Sequence, residues 1–219
     1  MPQAITQLEK KKSPYSFSQV WSLIRHGLFL QGLRHVIAKI GIDIMPYYWV
    51  EEEATRSKMP IIRTENQDFL FKSLNGQDID SILAKSDALN QEKINKSVAD
   101  GQECVALVHN GDVAAYMFVE LKDFTFKNRL FKIQQNEAYL LNMYSFDDFR
   151  GKNLAPYLRY LCYRYLEEKG ITKKYSISNY YNKSAIRFKE KLNSKPLKLY
   201  LNIELFKKFQ WHFVFRKFD

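Results

Sequence analysis

The sequence predicts a mixed α/β (α+β) fold, in which a largely antiparallel central sheet is flanked by helices. Three observations predict it. Two runs rich in β-branched and aromatic residues, 104–109 and 113–121, flank Asn110-Gly111, the strongest short-range signal for a β-hairpin. A further strand pattern over 137–146 passes through a short polar turn, 147–153, directly into a helical pattern. Near the end of the chain, 197–206 and 211–218 read as a closing antiparallel pair.

Taken in order, the elements begin with a helical stripe over 17–40. Its apolar positions are Trp21, Ile24, Leu28, Leu33, Ile37 and Ile40, and Gly27 and Gly32 interrupt it, so it reads as one kinked helix or two short ones. Arg25, His26, Arg34, His35 and Lys39 occupy its other face, which suits packing on a neighbouring domain or lying on a membrane surface. Pro46-Tyr47-Tyr48-Trp49-Val50 and Glu51-Glu52-Glu53 are not periodic and read as a connection ending near Pro60. This divides the chain into an N-terminal helical and aromatic extension, 1–60, and a main domain, 61–219. A strand then begins at Phe69-Leu70-Phe71, followed by short helices over 77–86 and 88–99, the second capped by Asp87. After the hairpin comes a loop containing Asn128 and Arg129, then the 137–146 strand, its turn, and a helix over 155–169 stopped by Gly170. Residues 175–178 read as a strand, and Asn182 caps a helix running to about residue 192.

At 219 residues with 46% apolar and 15% aromatic content, the chain can bury a full core without disulfides or metals. Cys104 and Cys162 stand far apart in apolar surroundings and read as reduced core thiols. Neither they nor His26, His35, His109 and His212 have metal-ligand spacing, so no metal site is expected. The first residues lack the apolar core of a secretory signal, and no apolar run approaches the roughly 18 residues of a membrane span, so a cytoplasmic protein is expected. The formal charge of +10 is uneven: residues 150–219 carry 17 Lys and Arg against 5 Asp and Glu, whereas 61–149 carry 9 against 14. A basic C-terminal third suits nucleic acid, an anionic lipid surface or a polyphosphate cofactor, or is simply a lysine-rich surface.

The segment from Asp148 to Pro156 bears most directly on function. It is a strand-to-helix turn whose backbone N–H groups have few partners in the chain. Gly151 and Ala155 let the backbone approach a ligand, and Pro156 in the first helical turn gives up a donor that would be unpaired anyway. A helix start of this kind attracts phosphate, and Arg150 and Lys152 add full charges that favour a pyrophosphate. An ordinary connection with exposed basic residues is the alternative. Arg150-Gly151-Lys152-Asn153-Leu154-Ala155 resembles the acetyl-CoA pyrophosphate loop of the GNAT superfamily of N-acetyltransferases, Arg/Gln-x-x-Gly-x-Gly/Ala, with Asn153 standing where that family usually has glycine. Asparagine tolerates the left-handed backbone such a loop requires. Residues 182–188 resemble the family's second cofactor motif, Asn-x-x-Ala-x-x-aromatic/aliphatic, and the element order over 61–219 is similar as well.

The resemblance implies a GNAT-like fold and acetyl-CoA as acyl donor, without metal. The pyrophosphate is expected on Arg150, Gly151, Lys152, Asn153, Leu154 and Ala155, with Asn182 opening the second motif. It also implies that the strands flanking the loop splay apart and offer unpaired backbone at Tyr144, Ser145 and Phe146 to the pantetheine arm. Where the family places a tyrosine as general acid, this sequence has Lys189, which reads as a surface cation or a proton donor. Glu137, Tyr139 and Tyr144 are the candidate catalytic groups; Glu137 and Tyr139 share a strand face with Leu141, Met143 and Ser145 if the strand is regular, although a strand-end acid and a core aromatic are equally ordinary there.

The implied reaction is direct transfer of an acetyl group to a primary amine of a small molecule, with a nucleotide-linked amino sugar as the leading acceptor and no covalent enzyme intermediate. Tyr47-Tyr48-Trp49 could stack on such a sugar or plug the core. No nucleic-acid partner is expected, since no recognition motif appears, and association into a homodimer is left open. The competing expectations are a binding module that keeps the fold but not the activity, and an enzyme with a different acyl or aminoacyl donor.

Overall fold

Residues 103–109 and 112–120 bury side chains of both parities, which requires a sheet covered on its two faces. The computed structural model describes residues 29–52, 58–64 and 68–218. Chain order runs α1 (Phe29–Lys39), β1 (Ile42–Glu52), β2 (Leu70–Ser73), α2 (Gly76–Ala84), α3 (Ala88–Ala99), β3 (Glu103–His109) and β4 (Asp112–Glu120). It continues with β5 (Phe124–Phe126), β6 (Arg129–Phe131), β7 (Glu137–Ser145), α4 (Leu154–Glu168), β8 (Lys173–Asn179), α5 (Lys183–Lys191), β9 (Lys195–Leu205) and β10 (Phe209–Lys217). Eight strands form one sheet in the order β10-β9-β1-β8-β7-β4-β3-β2. Every neighbouring pair in it is antiparallel except β7 and β8.

Strand alternation sorts the core into layers. Val105, Leu107, Ala115, Met117, Ala138 and Leu140 pack against Leu154, Leu158, Cys162 and Leu166 of α4. From the opposite face, Cys104, Ala106, Tyr116 and Phe118 pack against Ile82 of α2 and Ile94 of α3. Capping follows the sequence signals: Asn75 and Asp78 form a capping box at α2, the Asp87 carboxylate accepts the Asn90 N–H, and the Asn182 side chain accepts the Ala185 N–H.

Two features correct the sequence reading. Residues 46–52, read as a connection, belong to β1, an interior strand paired with β8 on one side and β9 on the other. The division near residue 60 therefore does not separate an extension from the sheet. Alternation is present here but carries no polar set: Tyr47 and Trp49 are buried with Phe131, Tyr139 and Tyr200, while Val50 and Glu52 are buried behind them. Pro46 is tolerated because its carbonyl faces Tyr180 at the end of the β8 ladder, so its missing N–H removes no bond to β9. The second correction is the loop around Asn128, which is a small hairpin, β5–β6, turning at Lys127 (φ 51°) and Asn128 (φ 59°). Its Phe124 stacks on Tyr139 with ring centroids 3.9 Å apart, and its Phe131 stacks on Trp49 at 4.8 Å. Tyr47 and Trp49 are thus core, not an exposed stacking platform; Tyr48 is only partly buried.

Of the stripe expected over 17–40, residues 17–28 lie outside the described residues, and the remainder is α1 with its turn. Arg34 of α1 grips Asp43 of β1 through two hydrogen bonds of 2.6 and 2.8 Å, and Lys127 of the small hairpin reaches the same carboxylate at 3.1 Å. Burial pushes the Asp43 carboxyl up, but these two cations outweigh it and hold the group below its ordinary range.

Candidate functional site

The parallel neighbours β7 and β8 pair only over Glu137–Tyr139 with Lys173–Tyr175. Beyond Tyr139 they separate, while β7 goes on pairing with β4. At that point β7 also bulges, because Leu141 and Tyr144 face Phe118 and Tyr116 with one residue extra on β7. Asn142 takes up the bulge in a left-handed conformation (φ 47°), and its side-chain amide donates to Ser97 Oγ of α3 at 2.9 Å. Separation and bulge together open the sheet, and a cavity of about 910 Å³ passes through the gap. On the side of α4 and α5 it is lined by Arg159, Ala185, Phe188 and Lys189; on the side of α3 and the small hairpin, by Lys93, Lys96, Gln102, Glu120 and Phe124.

The turn after β7 enters α4 through two left-handed residues. A short 3-10 turn, Asp147–Phe149, leads into Gly151 (φ 81°) and Asn153 (φ 65°), both left-handed. Asn153 is the N-cap of α4 yet makes no side-chain cap bond; its amide donates instead to the Ile61 carbonyl at 2.8 Å. Among the described residues no side chain caps the first N–H groups of α4. Lys152 places Nζ 5.1 Å from the Phe149 ring centre, and its carbonyl accepts the Arg63 N–H at 3.0 Å. Leu154 is buried in the core, which seats the helix start, and Ala155 follows it. Arg150 is turned back along β7: it ion-pairs with Asp147 at 2.7 Å, donates Nε to the Ser145 carbonyl at 3.2 Å and lies over the Tyr144 ring. Asn182 spends its side chain on the cap of α5.

Backbone exposure at the end of β7 is narrower than the family resemblance implies. The Phe146 N–H donates to the Ala114 carbonyl at 3.0 Å and its carbonyl accepts the Phe149 N–H at 3.0 Å, so both groups are taken. In this register Tyr144 also turns its backbone toward β4, and Ser145 is the residue whose backbone faces the open side.

Of the three candidate catalytic groups, only Tyr139 lines the cavity through the sheet. Burial pushes its hydroxyl far above the ordinary tyrosine range, which suits it to hydrogen-bond donation rather than to work as a base. Glu137 is removed from the cavity by its place at the paired start of β7, where its carboxylate accepts the Gln134 N–H at 3.1 Å and the Tyr175 hydroxyl at 3.2 Å. Tyr144 points to the other side of the bulge, into a separate cavity of about 480 Å³ with Phe146 and residues 147–149. The bulge changes the parity of β7: Tyr139, Leu141 and Tyr144 stand opposite Glu120, Phe118 and Tyr116 on one face, while Met143 packs on the α4 face, so the face expected to hold Met143 with Tyr139 is broken and Tyr144 lies farther along the strand, beyond the cavity.

Residues that the sequence reading missed or placed elsewhere form a buried polar cluster on the α4 side. Glu52 of β1 accepts the hydroxyls of Tyr163 and Ser176 and pairs with Arg159 at 3.5 Å and Lys189 at 3.4 Å. Lys189, which was expected at the surface or as a proton donor, is buried and donates to Ser178 Oγ at 2.7 Å. Burial, more than any other influence, brings its pKa down to about 8. Burial pushes Glu52 the other way, up, but Arg159, Lys189 and the two hydroxyls outweigh it and hold the carboxyl low. A run of three acids in the sequence gave no sign that its middle member points inward; the alternation Val50, Glu52 opposite Tyr47, Trp49 is the signal that contained it. Glu120, at the end of β4, is a buried carboxylate on the other side of the opening, held by Gln102 at 3.1 Å and the Lys122 N–H at 2.9 Å. Both cysteines are buried, and burial pushes their thiols up to about 12, which leaves them poor nucleophiles. Among the described residues no group of side chains could hold a metal ion, and no helix is long and apolar enough to cross a membrane.

No family model matches the sequence, and no curated protein matches it. Solved structures do match in fold. A GNAT-family protein from Novosphingobium aromaticivorans is similar at a TM-score of 0.50 and 16% identity, over 75% of this chain and 66% of its own. An acetyltransferase from the GNAT family of Colwellia psychrerythraea is similar at 0.54 and 10% identity, over 80% of this chain and 61% of its own. The glucosamine N-acetyltransferase region of a fungal multi-domain β-N-acetylglucosaminidase is similar at 0.56 and 14% identity, over 84% of this chain and 23% of that one. The chain thus spans 66% or less of the length of each. At these identities the likeness shows architecture, and the architecture of this chain is the GNAT acetyltransferase fold.

Proposed function

We propose that this protein is an N-acyltransferase that carries an acetyl group from acetyl-CoA to the primary amine of a small molecule. The observation that carries the reading is the opening between β7 and β8: a cavity passes through the sheet there, so two ligands can meet from opposite faces. The turn at Gly151 and Asn153, with the uncapped start of α4, suits the donor's pyrophosphate, and the Ser145 N–H suits its pantetheine arm.

In this reading the amine nitrogen attacks the thioester carbonyl, the C–S bond breaks, an amide forms, and the proton lost by the amine is balanced by the one gained by the thiolate. Glu120 is the carboxylate placed to take the amine's proton on the acceptor side, and Tyr139 the hydroxyl placed to steady the reacting carbonyl. The acceptor side also carries Lys93, Lys96 and Lys122 beside Asp100 and Asp123, a mixture that suits an amine bearing anionic groups. A nucleotide-linked amino sugar has that chemistry, and the fungal region similar in fold is described as a glucosamine N-acetyltransferase. Acetyl-CoA is an intracellular metabolite, so the reading places the enzyme inside the cell.

The test is release of free CoA thiol from acetyl-CoA across a panel of amino sugars, their nucleotide-linked forms and simple amines. Turnover with one class, with mass-detected N-acetylation of that acceptor, supports the reading. Acetyl-CoA hydrolysis at the uncatalysed rate with every amine contradicts it.

A further inference from the structure

Among the described residues, the buried cluster between β1, β8, α4 and α5 holds one positive charge more than it holds negative. Arg159 and Lys189 are both ion-paired to the same carboxylate, Glu52, and among the described residues neither pairs with another. The other buried lysine on this face, Lys174, is matched by its own partner, Glu167, at 2.8 Å. Arg159 is 3% exposed, and its Nε and Nη1 have no hydrogen-bond acceptor among the described residues. Both Arg159 and Lys189 nevertheless line the cavity that passes through the sheet. Buried N–H donors without acceptors and a buried surplus charge are each unfavourable, and a fold retains them where a ligand completes them.

We infer that the Arg159 corner of the cavity is a binding site for a carboxylate carried by a ligand of this protein, with the Arg159 guanidinium as its donor and Lys189 as the second charge. A carboxylate fits better than a phosphate on two counts. One surplus charge is neutralised by one monoanion, and Ala185 and Phe188 beside the two cations leave the corner partly apolar. The inference rests on the acyl-transfer reading only in naming where the carboxylate comes from: an acceptor that is an amino acid or an amino-sugar acid, or an acyl group ending in a carboxylate.

The test uses the full chain and equilibrium binding by calorimetry. Free succinamate, which carries one carboxylate, and succinamide are compared first, because they need no CoA site. Then acetyl-CoA is compared with succinyl-CoA, and amino acids with their amides. Succinamate is expected to bind at least tenfold more tightly than succinamide, with proton uptake between pH 8 and 9 as Lys189 is held charged. Arg159→Met is expected to abolish the preference, and Arg159→Lys to restore part of it. A preference for succinyl-CoA assigns the carboxylate to the donor, and a preference for the amino acids over their amides assigns it to the acceptor. Equal binding of succinamate and succinamide, or a preference that survives Arg159→Met, overturns the inference; if Arg159→Met does not fold, the wild-type comparison and its proton uptake decide. Succinamate selectivity without any CoA binding would keep the carboxylate site and remove the acyl-transfer reading instead.

Discussion

Asn153 fastens the turn before α4 to Ile61, donating its side-chain amide to that carbonyl at 2.8 Å while its backbone is left-handed. Glycine at this position would supply the conformation but not the bond. Asn153→Gly is therefore expected to cost about 1 kcal/mol of stability in urea unfolding. Asn153→Ala is expected to cost 1–2 kcal/mol more, roughly, because it loses the bond and pays the left-handed penalty as well. Equal loss in the two variants would mean that the turn does not depend on the left-handed backbone.

Among the described residues, Glu52 is the one carboxylate paired with two buried cations. Glu52→Gln is expected to destabilise the fold by about 3–5 kcal/mol, since it leaves both charges buried without a partner. Adding Lys189→Met to that variant should recover part of the loss by removing one of the cations, a coupling that a double-mutant cycle in denaturant measures. A cost for Glu52→Gln below about 1 kcal/mol would show that the cluster is not a buried ion network.

The same cluster gives stability a pH dependence. Burial lowers the Lys189 pKa to about 8 from its ordinary 10.5, so between these values the unfolded chain holds the proton that the folded chain has lost. Stability from this group therefore rises as pH goes from about 8 toward 10.5, and the folded state bears the cost of the buried charge below that window. Urea midpoints at pH 7.5 and 9.5 should show this rise in the wild type and its loss in Lys189→Met. A rise that persists in the variant would assign it to another group.

The acceptor side yields a kinetic prediction that separates two carboxylates. Glu120→Gln should lower kcat by about 10²–10⁴ if it takes the proton of the amine, whereas Glu137→Gln, outside the cavity, should leave kcat within a few-fold of wild type. The reverse result would return the catalytic role to the strand end.

Much of this architecture was legible in the sequence because local signals agree with it. Asn110-Gly111, Asp87, Asn182 and Gly170 each mark the boundary their chemistry predicts, and the left-handed Asn153 follows from what asparagine tolerates. The failures have physical causes. β1 is buried on both faces and carries a proline, so it shows neither polar alternation nor an unbroken β-branched run. The small hairpin turns on Lys127-Asn128, a weaker pair than Asn-Gly for two left-handed residues. The side chains on the cavity depend on where β7 bulges and where β8 departs from it, and both are set by tertiary packing. Arg159 and Lys189 look like any other cations in helical segments until the sheet brings Glu52 beneath them.

The most direct test of the central claim, that a CoA thioester enters the opening between β7 and β8 with its pyrophosphate on the following turn, is thermal unfolding with acetyl-CoA and with Gly151→Val. Gly151 has a left-handed backbone and open space where a Cβ would stand, so valine there meets nothing in the protein but strains the turn and crowds an approaching phosphate. At about a hundred times its dissociation constant, acetyl-CoA should stabilise the wild type by roughly 2.7 kcal/mol, or about 5–10 °C, and the variant by far less. No shift in the wild type at millimolar acetyl-CoA, or an equal shift in Gly151→Val, would contradict the account.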